Sequence, residues 1–127
     1  MLLLDTYIFV VAALEGFEAL SVKTRKLLSD EATQPLLSAV SLTEVAIKTK
    51  NGKLAITGKQ AQSAIEEMRL TLLPYTVKHA LCLFDLPLYH SDPFDRMLIA
   101  TALAENIPIL SPDRAFAEYP DLQLIKA

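Results

Sequence analysis

The chain has 127 residues, 52% of them apolar, with a formal charge of −3 at pH 7 and one cysteine. That length suits a single domain, residues 1–127, with enough core to fold without staples. Cys82 alone excludes an internal disulfide or a cysteine-rich zinc site, and the charge offers no global positive field for nucleic acid. In chain order, Leu2-Leu3-Leu4 reads as a buried strand ending at Asp5, and Thr6 to Leu14 as a buried helix closed at Gly16. Ser21 caps a helix from Val22 to Leu28, and Pro35 to Ala39 is a second strand. Ser41-Leu42-Thr43-Glu44 fits a capping box opening a helix that stops at Asn51-Gly52. Lys59 to Leu70 is a helix with Thr57 as cap, Thr71 to Leu73 a third strand, and Thr76 caps a helix to Phe84. Asp92-Pro93 is a strong helix start, with Asn106 as the left-handed stop after Glu105. Ile107 to Ser111 is a fourth strand, Arg114 to Tyr119 a short helix, and Leu122 to Ile125 an edge strand.

Short apolar strands alternating with helices predict a parallel sheet covered on both faces. Ligands in such sheets bind beyond the carboxyl ends of the strands. That edge collects Asp5, Glu44, Asp113 and, if its helix starts there, Asp95. Each has an ordinary alternative: Glu44 as the partner of Ser41, Asp92 as an N-cap, Asp113 in a turn, Asp95 favoured by its helix dipole. Asp5 is harder to place as structure, because an acid at a buried strand end needs a partner and no basic residue lies within ten positions. Four carboxylates in one cleft repel unless a cation sits among them. Oxygen donors without cysteine suit Mg²⁺ or Mn²⁺ rather than zinc. Of the two histidines, His79 reads as a helix-face residue and His90 as a polar loop residue, with contact to substrate or metal as its alternative.

The stretches Leu2-Leu3-Leu4-Asp5-Thr6, Ser38 to Lys48, Leu86-Pro87-Leu88-Tyr89-His90-Ser91-Asp92-Pro93-Phe94-Asp95-Arg96-Met97-Leu98-Ile99-Ala100-Thr101-Ala102 and Leu110-Ser111-Pro112-Asp113-Arg114-Ala115-Phe116 resemble the PIN-domain ribonucleases. They look most like the VapC-type toxins of type II toxin–antitoxin pairs. The resemblance runs through the whole chain in the same order. It implies a three-layer α/β/α sandwich with a central, mainly parallel sheet of four to five strands. It implies a metal-dependent endoribonuclease using Mg²⁺ or Mn²⁺, with Asp5, Glu44, Asp95 and Asp113 as the catalytic and metal-holding quartet. Asp92, Ser111, Thr6 and Arg96 are accessory positions around it. Ser111 stands where the family often has threonine, with Pro112 between it and the last acid. The resemblance further implies a cognate antitoxin whose C-terminal segment covers the site, and a homodimer. Mean hydropathy of +0.32 is high for so small a chain and agrees with apolar surface reserved for a partner.

Phosphodiester hydrolysis needs a nucleophile, charge neutralisation and a stabilised leaving oxygen, and a bound divalent ion supplies all three. Setting aside Asp5, Glu44, Asp92, Asp95 and Asp113 leaves twelve basic residues against ten acids. Lys48, Lys50, Lys53 and Lys59 lie in an acid-free run after Glu44, and Lys48, Lys50 and Lys53 are candidate RNA contacts. Lys23, Arg25 and Lys26 read as a solvated face, Phe94 and Phe116 as core. Arg96 either holds a phosphate or pairs with a site acid. A haloacid-dehalogenase-type phosphatase would need a second aspartate where Tyr7 stands. The remaining alternative is an inactive PIN-like module that binds RNA or protein without cutting. Met1 to Asp5 meets an acid with no basic lead, unlike a signal peptide, and no apolar run nears the ~18 residues of a membrane span. A cytoplasmic protein without membrane contact is expected.

Overall fold

A computed structural model describes residues 1–127. Five strands, β1 (Leu2–Leu4), β2 (Pro35–Ser38), β3 (Thr71–Leu73), β4 (Ile109–Ser111) and β5 (Leu124–Lys126), form one sheet in the order β3-β2-β1-β4-β5. Every pairing is parallel. Six helices connect them: α1 (Thr6–Glu15), α2 (Val22–Ser29), α3 (Ala39–Lys50), α4 (Gly58–Glu67), α5 (Val77–Cys82) and α6 (Pro93–Glu105). The three 3-10 turns are Phe17–Ala19, Leu83–Asp85 and Arg114–Glu118.

The sheet separates two cores because successive strand residues face opposite ways. Leu2 and Leu4 of β1 join Ile8, Phe9, Val45, Ala61 and Ala64 on one face. Leu3 joins Leu36, Leu98, Ile99, Ile109 and Phe116 on the other. The result is the expected α/β/α sandwich, with all five strands parallel. No helix is long and apolar enough to cross a membrane.

Most predicted boundaries hold to within a residue or two. Asp92 caps α6 through Oδ1, which accepts from the Asp95 backbone N–H at 2.9 Å, and Asn106 takes φ 53° at its end. Thr57 and Thr76 each build a capping box, with Gln60 and His79. Three expectations fail. The helix expected to reach Leu70 ends at Glu67, because Arg69 takes φ 53°, a left-handed turn that no helix continues through. Ser41 and Glu44 make no capping box. The cap of α3 is Ser38, whose Oγ accepts from Val40 N–H at 3.0 Å, so the helix starts at Ala39. Glu44 is thereby moved from the first turn into the helix body, its carboxyl inside the fold. Strand β4 starts at Ile109 rather than Ile107, because Pro108 has no N–H for the ladder.

Candidate functional site

Parallel strands end on one edge, and there the sheet order changes direction between β1 and β4, which places a crevice at that point. Asp5 follows β1 and Asp113 follows β4, while α3 brings Glu44 and the start of α6 brings Asp92 and Asp95. All five acids, with Lys48, line one cleft of about 480 Å³.

Each carboxylate is held by a different device. Asp5 caps α1 by position but makes no side-chain cap bond. Its Oδ2 accepts from the Ser111 hydroxyl at 2.7 Å, and the same hydroxyl accepts from the Asp113 backbone N–H at 3.0 Å. Ser111, fully buried, thus ties the first and last acids together. Asp113 Oδ1 accepts from Ala115 N–H at 2.9 Å, opening the 3-10 turn. Asp113 is therefore both a turn cap and a cleft residue. Glu44 is 4% exposed. Its Oε2 accepts from Lys48 Nζ at 2.6 Å, and its Oε1 is buried with no hydrogen-bond partner. Thr6 and Ser41 share a hydroxyl hydrogen bond of 2.8 Å that joins α1 to α3 beneath the cleft.

The electrostatics follow from this crowding. Burial, and then the charges of Asp5 and Asp92, push the Asp95 carboxyl up to about 7. The contact with His90 opposes that shift. Burial also raises Asp5, with Glu44 and Asp113 adding to it, while Ser111 and the Tyr7 backbone N–H pull the other way. Lys48 is held more firmly charged by its hydrogen bond to Glu44. Carboxylates that resist ionising together, and a buried carboxylate oxygen left without a donor, fit a hard divalent cation.

A family model for the PIN domain matches residues 2–122. The chain belongs to the PIN domain family. Among solved structures, this PIN domain is similar to VapBC2 from Rickettsia felis bound to a DNA fragment from its promoter. There the identity is 20%, the TM-score 0.75, and coverage 98% of this chain and 97% of that chain. It is also similar to DNA-bound VapBC from Salmonella typhimurium (14% identity, TM-score 0.74, 98% and 96% covered). FitAcB from Neisseria gonorrhoeae matches at 18% identity and TM-score 0.64, again covering 98% and 96%. No curated protein gives a significant match.

Within this PIN domain two sequence readings need correction. Arg96 touches neither an acid nor the cleft. Its guanidinium donates to the carbonyls of Pro87 at 2.8 Å and Leu86 at 3.1 Å and to the Tyr119 hydroxyl at 3.2 Å. The step of one residue, roughly 100° around α6, turns it away from Asp95 and onto the preceding loop, whose free carbonyls it satisfies. His90 is no mere loop residue. Its Nε2 lies 2.8 Å from Asp95 Oδ2 and 3.7 Å from Asp113 Oδ2. The signal was its position two residues before a helix cap at the carboxyl edge, which no periodicity marks. His79 is fully buried, its Nδ1 accepting from Thr76 N–H and its Nε2 2.7 Å from Glu105. Phe116 is fully buried and Phe94 packs, partly buried, against the same core. Lys50 and Lys53 are outside the cleft lining, so of the three lysines only Lys48 reaches it. Arg25 pairs with Glu18 at 2.7 Å at the surface.

Proposed function

We propose that this PIN domain, residues 1–127, is a Mg²⁺- or Mn²⁺-dependent endoribonuclease. It acts as the cytoplasmic toxin of a type II pair and is silenced by a cognate antitoxin. The observation that carries the reading is the convergence of Asp5, Glu44, Asp95 and Asp113 on one cleft, with Glu44 Oε1 buried and unpaired. Those four would hold the cation directly or through water. When bound, a divalent ion activates water, polarises the phosphoryl oxygen and steadies the leaving oxygen.

The chain's own residues do the rest. Ser111 fixes Asp5 against the last acid, and Asp92 fixes the first turn of α6 so that Asp95 enters the cleft. Glu44 is a ligand or the group that orients the attacking water. Lys48 neutralises Glu44 and lies where it can meet a substrate phosphate. RNA rather than DNA follows from the family resemblance, since this chemistry makes no use of a 2′-hydroxyl. The toxin role is supported by likeness to VapBC and FitAcB structures. The decisive test is incubation with total RNA, with and without Mg²⁺, followed by mapping of ends. New ends that appear only with metal support the reading; intact RNA with saturating metal sinks it. Co-purification with, and inhibition by, the product of the adjoining reading frame tests the antitoxin.

Lys48→Ala with Lys50→Ala is expected to weaken RNA binding and to lower the slope of log affinity against log salt by ~1.4, two contacts at ~0.7 each. Filter binding at several salt concentrations measures it, and an unchanged slope makes these lysines solvated surface. A homodimer is part of the same proposal. Val77 (76% exposed), Leu81 (58%), Phe84 (85%) and Leu88 (77%) leave an apolar stripe along α5 and the loop after it. Such a stripe marks a protein contact. Leu81→Glu with Phe84→Glu should yield a monomer at about 10 μM, a charged seam being hard to bury. Sedimentation equilibrium decides, and an unaltered dimer would place the seam elsewhere.

A further inference from the structure

We infer that His90 is a nitrogen ligand of the cleft's divalent cation and gives the site a preference for Mn²⁺ over Mg²⁺. The inference rests on the metal-dependent reading above and adds to its carboxylates a donor of another kind. One donor atom each from His90, Asp95 and Asp113 lies within 4.8 Å of the other two. Nε2 lies 2.8 Å from Asp95 Oδ2 and 3.7 Å from Asp113 Oδ2. Donors around one small divalent ion, at ~2.1 Å from it, lie ~3 Å from their neighbours. To share an ion the three atoms must draw together, and Nε2 must exchange its hydrogen bond to Asp95 for the ion, the neutral ring then carrying its proton on Nδ1.

The loop that carries the imidazole is strapped in place. His90 N–H donates to the Tyr119 hydroxyl at 3.1 Å, and that hydroxyl donates to the Pro87 carbonyl at 2.7 Å. Arg96 binds the carbonyls of Leu86, Pro87 and His90 from the other side. The ring of His90 lies against the buried Phe116, centroids 5.9 Å apart. Arg96 and Tyr119 thus fix the position of an imidazole whose side chain is only 16% exposed. Independent of this cluster, Glu44 Oε1 is buried and unpartnered in the same cleft, its side chain 6% exposed. A cation is the partner such an oxygen lacks.

The donor set then has a chemical consequence. Carboxylates alone suit Mg²⁺ and Mn²⁺ alike, whereas imidazole favours transition-metal ions over the harder Mg²⁺. No other imidazole competes, because both ring nitrogens of His79 are already engaged, by Thr76 and Glu105.

The experiment is a Mn²⁺ titration of the purified chain followed by electron paramagnetic resonance, with pulsed detection of nitrogen coupling. Mg²⁺ affinity is read by competition. Bound Mn²⁺ is expected to show ¹⁴N coupling in the wild type and none in His90→Ala. The variant should bind Mn²⁺ at least ~10-fold more weakly, with Mg²⁺ affinity changed less than ~3-fold. Mn²⁺ bound to wild type without nitrogen coupling overturns the inference whatever the variant does. A coupling that survives in His90→Ala comes from another nitrogen and overturns it too, as does unchanged Mn²⁺ affinity. If wild type binds neither ion, the metal-dependent function falls along with the ligand. If both ions bind and Asp95→Asn weakens them while nitrogen coupling is absent, only the role of His90 falls.

Discussion

Asp5→Asn, Glu44→Gln, Asp95→Asn and Asp113→Asn are each expected to lower RNA cleavage at least ~100-fold, through lost positioning of metal or water. These substitutions keep size and hydrogen-bonding capacity, so the loss reads out charge. Asp5 and Glu44, nearly buried, should be the most sensitive, because water cannot replace a missing carboxylate there. Asp92→Asn should cost much less. Its role is to accept from the Asp95 backbone N–H, and asparagine caps as well as aspartate. Ser111→Ala falls between, since it frees both Asp5 and the Asp113 backbone from one hydroxyl. Single-turnover cleavage of a defined oligonucleotide at saturating Mg²⁺ ranks the set. If Asp92→Asn is as inactive as Asp95→Asn, Asp92 is more than a cap. If Asp5→Asn, Glu44→Gln, Asp95→Asn and Asp113→Asn all retain activity near wild type, the cleft is not where RNA is cut.

The layout of the fold was legible because each strand and helix carried its own local signal. Leucines stopped by Asp5, Thr57 three residues before Gln60, and Asp92-Pro93 with Asn106 beyond are complete statements within a few residues. The gathering of acids was legible too, because a parallel sheet sends its strand ends to one edge and the acids follow those ends. What failed needed a choice between equivalent local signals or a contact across the chain. Ser38 and Ser41 are both adequate caps. The choice went to Ser38 because β2 ends there, leaving Ser41 to be buried against Thr6. The segment Leu86–Ser91 has no period, so nothing local told that Arg96 and Tyr119 clamp it or that His90 meets Asp95 and Asp113. The order of carboxyl strain was also hidden. In sequence Asp113 and Asp95 are equivalent acids, but Asp113 is 42% exposed at the side chain and Asp95 18%.

That difference decides where removal of charge should help the metal-free protein. Between the ordinary aspartate value of 3.8 and about 7, the folded chain keeps a proton on Asp95 that the unfolded chain releases. The folded state therefore binds more protons in that window, and stability in chelator should fall as pH rises from about 4 to about 7. The raised carboxyl of Asp5 acts in the same direction. Asp95→Asn removes the Asp95 contribution while leaving an amide beside His90. In chelator at pH 8 it should be more stable than wild type by on the order of 1–2 kcal/mol, a rise of about 5 °C in Tm for a chain of this size. Its loss of stability between pH 4 and 7 should be shallower. Asp113→Asn should gain less, because solvent already screens that charge. Saturating Mg²⁺ reverses the order. A ligand that binds only the folded chain stabilises it, so wild type should rise and Asp95→Asn should rise much less. Four melting curves test this, wild type and Asp95→Asn with chelator and with Mg²⁺. Equal stability in chelator together with an equal gain from Mg²⁺ would mean that Asp95 bears no strain and holds no cation.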